Sequence, residues 1–206
     1  DWLGSGTGTV LVAGGALILL ESNVNENLTF TGGNIATYGD VTIRHLHANN
    51  LTITINGNNT FEDINFEYTN RKDVTINGNN TFGSFTLVQD YSVTSNIPQH
   101  NITGINTFGT FVILSLGVQG PEIAFAQNNT YGNLISAGRG TRLKFGNGKT
   151  QTINGEILVL GTGGQPIFFN STTAGAQATI SKASGNVCLD FVWIKDINAT
   201  GGATFN

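Results

Sequence analysis

One short motif recurs five times along this chain, and its period restricts the fold more than any other feature. Each copy has a Thr, an aromatic residue, and apolar residues three and five positions past the aromatic. The copies are Thr37-Tyr38 with Val41 and Ile43, Thr60-Phe61 with Ile64 and Phe66, and Thr81-Phe82 with Phe85 and Leu87. Thr107-Phe108 with Phe111 and Ile113 follows, then Thr130-Tyr131 with Leu134, where Ser136 takes the last slot. From aromatic to aromatic the steps are 23, 21, 26 and 23 residues. A unit this short cannot bury its apolar face alone, so successive copies must stack into one continuous core. A stacked solenoid offers long flat faces and open ends in place of a deep pocket, and such surfaces favour adhesion and assembly.

The segments between copies alternate cleanly. Leu51, Ile53 and Ile55 point one way and Thr52 and Thr54 the other; Val74-Thr75-Ile76 repeats the pattern. Asn56-Gly57 and Asn77-Gly78 then supply corners, because Asn and Gly tolerate positive φ. Asn-Gly also marks hairpins. A hairpin would pair neighbours within one repeat, whereas a return every ~22 residues stacks like strands on like strands. The expected fold is all-β: a single-stranded right-handed parallel β-helix of about nine rungs, a rod of roughly 45 Å at ~4.8 Å per rung.

Two columns run through the alignment. Asn59, Asn80, Asn106 and Asn129 stand two places before the aromatic, with Ala36 in the first copy, and Thr precedes the aromatic in all five. In an extended segment the Asn shares a face with the aromatic and the Thr takes the other. The expected interior is therefore a ladder of Tyr38, Phe61, Phe82, Phe108 and Tyr131 beside a ladder of asparagine amides. Bonds from rung to rung would satisfy groups that otherwise cost ~1–3 kcal/mol each when buried. The Thr column faces out.

Composition agrees. With 39% hydrophobic residues and 13 Phe among 206, the chain can bury a core despite only 11% charged residues. No window of helical length spaces its apolar residues for a helix. The net charge is -4 and the pI about 5.2, with no Lys/Arg-rich run, so nucleic-acid binding lacks its footprint. A single Cys, Cys188, rules out an internal disulfide and a Cys-based zinc site, and is expected as a small buried apolar residue. No cofactor is expected. Val10 to Leu20, the longest apolar run, is too short for a bilayer span, which takes ~20 residues. No basic region precedes it as in a signal peptide. It reads as a buried strand pair bending at Gly14-Gly15, or as an arm completing a neighbour's sheet. The chain begins at Asp1, as a processed or excised chain would.

One domain is expected over 1–206: a cap or assembly strand over 1–33, regular rungs over 34–145 and irregular rungs over 146–206. The irregular part holds strand candidates at Thr152-Ile153, Ile157 to Leu160, Ile167 to Phe169, Ala178 to Ile180 and Val187 to Ile197.

The repeats N-N-T-F and I-N-G-N-N-T-F, with the later G-K-T-Q-T-I-N-G, resemble the coils of right-handed parallel β-helix surface proteins. Ser181 to Phe205 is similar to a module of large secreted prokaryotic and phage-associated β-solenoid proteins. The resemblance covers about Ile35 to Asn206. It implies an extracellular, structural or adhesive role and transfers no catalytic residue. Polysaccharide lyases and phage tailspikes share the architecture, but a fold alone does not confer function.

Candidate chemistry is sparse. Glu62, Asp63 and Glu67 are the tightest group of acids, and the repeat stacks Asp40 on Asp63 one rung apart, the best carboxylate pair for catalysis or calcium. Asp190 and Asp196 lie in the strand-like run VCLDFVWIKDI, where a bulge is expected. His45 and His47 have chelating spacing but no third ligand, and His100 is isolated. Arg139, Arg142, Lys144 and Lys149 form the one local cationic patch, suited to an acidic glycan or an acidic corner of another subunit. Gly4 to Gly8 and Gly161 to Gly164 lead into strands rather than helices, so neither is a phosphate cradle. Glycosylation sequons occur at Asn27, Asn50, Asn58, Asn79, Asn101, Asn128, Asn170 and Asn198. An ice-binding face would need two regular Thr columns, and Thr52 with Thr54 supplies that pair only once.

The leading expectation is a non-catalytic, extracellular β-solenoid: an adhesin stalk, or a subunit that self-associates into a surface fibre or sheath. The alternative is a glycan-binding or glycan-cleaving β-helix.

Overall fold

The computed structural model describes residues 18–22, 27–31, 37–45, 50–68, 71–90 and 97–205. Within them every element is a strand. The first turns carry β1 (Ile18–Ser22), β2 (Leu28–Thr31), β3 (Thr37–Tyr38), β4 (Val41–His45) and β5 (Leu51–Asn56). The regular turns carry β6 (Thr60–Tyr68), β7 (Lys72–Ile76), β8 (Thr81–Gln89), β9 (Gln99–Ile102), β10 (Thr107–Ser115), β11 (Glu122–Phe125), β12 (Asn129–Gly138) and β13 (Arg142–Phe145). Shorter strands follow: β14 (Thr150–Ile153), β15 (Ile157–Leu160), β16 (Ile167–Ser171), β17 (Ala178–Ser181) and β18 (Asn186–Val187). The last are β19 (Leu189–Asp190), β20 (Val192–Lys195), β21 (Ile197–Thr200) and β22 (Thr204–Phe205).

The chain winds as a parallel β-solenoid. One sheet, sheet A, runs β1-β4-β6-β8-β10-β12-β14-β17-β21, with β3, β15 and β19 beside it. Sheet B runs β2-β5-β7-β9-β11-β13-β16-β20. Every ladder between named strands is parallel, and the antiparallel pairing among the described residues is the isolated bridge Thr162–Gln165. The Asn-Gly corners explain why no hairpin forms. Gly57 and Gly78 turn the chain at φ of 101° and 89° and send it on to the other sheet.

There are about seven turns, not nine. The later turns are longer than the repeat suggests: Gln151 lies beside Ile180, 29 residues on. Residues 1–17 lie outside the described chain, and with them most of Val10 to Leu20 and the string Gly4 to Gly8. At ~4.8 Å per turn the rod is roughly 34 Å long. Stacking extends upstream of residue 34, since β1 pairs with β4 and β2 with β5.

The five aromatics lie on one line. Tyr38, Phe61, Phe82, Phe108 and Tyr131 stack at centroid spacings of 5.2, 5.4, 5.1 and 5.2 Å, and all are buried. Phe85 and Phe111 form a second stack at 4.9 Å, turned edge-on to the first. Sheet A bends just past the aromatics. The ladder skips Glu62, Gly83, Gly109 and Gly132, and a Cβ at Gly132 would run into the carbonyl oxygen of Gly109. Glycine there lets backbones of adjacent turns approach closely.

The asparagines line the inside as expected. Asn59 Nδ2 donates to Asn80 Oδ1 (3.0 Å), Asn80 Nδ2 to Asn106 Oδ1 (3.2 Å), and Asn106 Nδ2 to Asn129 Oδ1 (3.4 Å). Each acceptor oxygen also takes the backbone N–H of the preceding turn's Asn at 2.8–2.9 Å. Gln151 continues the ladder beyond the last recognisable motif, accepting from Asn129 Nδ2 (3.1 Å) and from the Tyr131 hydroxyl (3.0 Å). Burial pushes the Tyr131 phenol well above its ordinary pKa.

A second asparagine column, one residue earlier and exposed, bonds in the opposite direction. The N–H of Asn79 donates to Asn58 Oδ1, that of Ile105 to Asn79 Oδ1, and that of Thr150 to Asn128 Oδ1, each at 2.8 Å. Ile105 interrupts it with an apolar side chain that is 55% exposed. Ile105→Asn restores the acceptor at no packing cost. It should stabilise by about 0.5–1 kcal/mol and raise the thermal midpoint by roughly 1–3 °C, read by calorimetry.

His100 lies inside sheet B, where its Nδ1 accepts the N–H of Val74 (3.0 Å). Burial holds its pKa down at about 3. The unfolded chain therefore binds a proton near pH 6.5 that the folded chain refuses until about pH 3. Stability is full above that window and falls with acidification by up to about 1.4 kcal/mol per pH unit within it. His100→Gln keeps an acceptor and cannot titrate, so it should flatten that slope in urea unfolding at pH 4–7. Lys72, also buried, has a pKa lowered by desolvation, and its contribution likewise rises with pH, toward the alkaline end.

Two expectations are corrected. Cys188 is exposed, because it falls between β18 and β19 at a corner rather than inside a strand. The run from Val187 to Ile197 is not one bulged strand. It turns at Phe191 (φ 48°) and Asp196 (φ 56°), passing from sheet A through β20 in sheet B and back. Those two corners resolve the broken alternation around Asp190.

Candidate functional site

The carboxylate pair is stacked as aligned. Asp40 sits between β3 and β4, which both pair with β6, so it lies beside Asp63 at about one strand spacing (~4.8 Å). Asp40 is exposed and Asp63 half-buried at the bend. Glu67 does not join them: it pairs with Arg44 of the preceding turn at 2.8 Å, and with both side chains partly exposed such a pair contributes ~0.2–1 kcal/mol. Among the described residues no three His, Cys, Asp or Glu side chains converge as a cation cage would need. The side chain of His45, and all of His47, lie outside the described residues. Asp196 has a structural partner, accepting the N–H of Gly175 (3.0 Å).

The cationic residues separate. Arg142 and Lys144 project outward from β13 on sheet B, whereas Arg139 precedes that strand and Lys149 follows the next corner. Glu122, absent from any local sequence window around them, is brought opposite Arg142 by the register and bonds Lys144 at 2.8 Å. Arg142 turns the other way. Its guanidinium lies 5.3 Å from the ring centre of Phe168, its register partner on β16. Trp193 on β20 continues the same outward column, meeting Phe168 edge-to-face at 5.7 Å, and is 67% exposed.

Beside Arg142 and Phe168 opens a cleft of about 250 Å³. Gln119, Gly140, Gly164, Gln165 and Pro166 complete its lining. Gly164, the last residue of the string Gly161 to Gly164, forms part of its wall. Thr162 and Gln165 exchange backbone hydrogen bonds, Gly164 turns at φ 93°, and the N–H of Gly140 reaches the Gln165 carbonyl (3.2 Å). Arg142 was legible as a candidate from charge. Phe168, Trp193, Gln119 and Gln165 were not, since no repeat motif links them and they come from three different turns.

The sequon asparagines Asn27, Asn50, Asn58, Asn79, Asn101, Asn128 and Asn198 are exposed, and Asn170 is half-buried on β16. Thr60, Thr81, Thr107, Thr130 and Thr152 form one outward column on sheet A, flanked by the bend and not by a second Thr rank.

The fold defines this chain as a repetitive parallel β-solenoid. No family model, curated protein or solved structure matches it.

Proposed function

We propose that the chain is a non-catalytic structural β-solenoid: an extracellular rod that serves as an adhesin stalk or as a self-associating subunit of a surface fibre or sheath. The observation that carries this reading is the pair of unbroken interior ladders. Aromatic and amide side chains repeat their contacts turn after turn, and five consecutive turns commit their inward positions to them. Such a core maximises stiffness along one axis. Its exposed acids stand as solvated corners.

The last described turn presents apolar side chains at its open end. Phe191 and Ile194 are 53% and 51% exposed, and Ile194 continues the inward column of Leu143 and Phe169. Another turn of solenoid laid over them would bury apolar surface and satisfy open strand edges. An extracellular setting accords with the exposed sequons. At Asn58, Asn79 and Asn128 a backbone N–H holds the amide oxygen while the residue faces solvent.

Electron microscopy of the purified protein tests the reading: rods joined end to end are expected. Uniformly single rods would remove the assembly part of it. Asp40→Ala with Asp63→Ala should leave folding and assembly unchanged. Cleavage of a polysaccharide that disappears in that double variant would establish an enzyme instead. Intact mass of native material reads any sequon glycans.

A further inference from the structure

We infer that the outer face of sheet B from Arg142 to Trp193 is a binding site for an acidic saccharide, one whose pyranose rings carry a carboxylate. The inference does not rest on fibre assembly, since a single rod would bind as well.

Three properties of the site select this chemistry. The first is the fixed guanidinium. Arg142 lies over Phe168 and lines the cleft, and a guanidinium placed there can receive a carboxylate with two parallel bonds. The second is the pair of amides. Gln119 Oε1 and Gln165 Oε1 are shielded from solvent and take no hydrogen bond within the chain. The terminal amide torsion of Gln is soft. A small rotation in the cleft would turn either oxygen onto a ligand hydroxyl and gain the bond it lacks. The third is Trp193, whose exposed face, two strand spacings (~10 Å) along the column from Arg142, offers a platform for the apolar side of a sugar ring.

A short uronic acid oligomer supplies all three complements across adjoining rings: a carboxylate, hydroxyl donors and a C–H face. A polyanion read by charge alone fits poorly. Glu122 neutralises Lys144 within the same surface, so the face lacks the run of unpaired cations that such binding uses. The loop Thr162–Gln165 is tied to Gly140, and the N–H groups of Gly161 and Ile167 are held by the carbonyls of Asp190 and Phe191. The wall is thus preformed, and little ordering opposes binding.

Titration calorimetry of the full chain with a short galacturonate oligomer tests the inference, with a neutral glucose oligomer of equal length and an oligoglutamate as comparisons. The uronate oligomer should bind, and both comparisons should bind at least ten-fold more weakly. Arg142→Gln and Trp193→Ala should each weaken binding ten-fold or more at an unchanged melting temperature. Arg142→Lys, which keeps the charge and loses the fork, should also weaken it. Arg139→Gln, outside the cleft, should bind as the parent does. No uptake of the uronate oligomer at millimolar concentration overturns the inference. So does equal binding of the glucose oligomer or of oligoglutamate, or indifference to the Arg142 and Trp193 variants. Should Trp193→Ala fail to fold, Arg142→Gln and Arg142→Lys decide alone.

Discussion

Asn106→Ala should cost about 2–5 kcal/mol and break the cooperativity of unfolding. Asn106 Oδ1 accepts both the backbone N–H and the Nδ2 of Asn80, at 2.9 and 3.2 Å, and its own Nδ2 donates to the Gly104 carbonyl at 2.8 Å. Truncation leaves the Asn80 N–H and the Gly104 carbonyl without these partners inside a buried corner, at roughly 1–3 kcal/mol each. Asn79→Ala is the contrast. Its Oδ1 accepts the Ile105 N–H at the exposed surface, where water replaces it, and the loss should stay below about 1 kcal/mol. In a solenoid each turn is held only by its neighbours, so weakening one interface uncouples the two halves. Urea unfolding of Asn106→Ala should therefore broaden or split into two steps, while Asn79→Ala keeps a single transition. Similar losses at both positions would mean that the inner amides are not the stabilising ladder described here.

Phe108→Ala should be the most damaging core truncation, at about 3–5 kcal/mol. Phe108 is fully buried and touches four rings: Phe82 at 5.1 Å, Tyr131 at 5.2 Å, Phe111 at 4.9 Å and Phe85 at 5.8 Å. Its removal opens a cavity in mid-rod that backbone ladders on both sides keep from collapsing. Phe108→Leu refills most of that volume and should cost less than half as much. Hydrogen exchange should locate the loosening in β8, β10 and β12, with β16 and β17 unaffected. Equal loosening along the whole rod would show that the turns do not behave as nearest-neighbour units.

The two asparagine columns show how far a sequence can be read. Asn59, Asn80, Asn106 and Asn129 were visible because they keep one offset from an aromatic, and parity placed them inside. Gln151 extends the same ladder and was missed, because the aromatic two places on has become Ile153 and the template no longer registers. Asn58, Asn79 and Asn128 carry only the sequon as a signal in the sequence. Their bonds to the next turn depend on corner geometry that no spacing reveals.

The candidate site was less legible. Asp40 over Asp63 followed from the period alone. Arg142 stood out by charge, but its neighbours Phe168 and Trp193 lie 26 and 51 residues downstream in turns of unequal length, and Glu122 lies 20 upstream. Where turns vary in length, the partner across the ladder cannot be counted out.

By itself the sequence determined that like residues would stack, which face they would take, and that the strands would run parallel. A side chain repeating at a fixed interval has one low-energy way to bury itself, against its own copies. Tertiary structure alone decided the number of turns, the left-handed corners at Phe191 and Asp196, and the column joining Arg142, Phe168 and Trp193. Those features come from backbone pairing between turns of different lengths, and hydrogen-bonded register carries no signature in the order of residues.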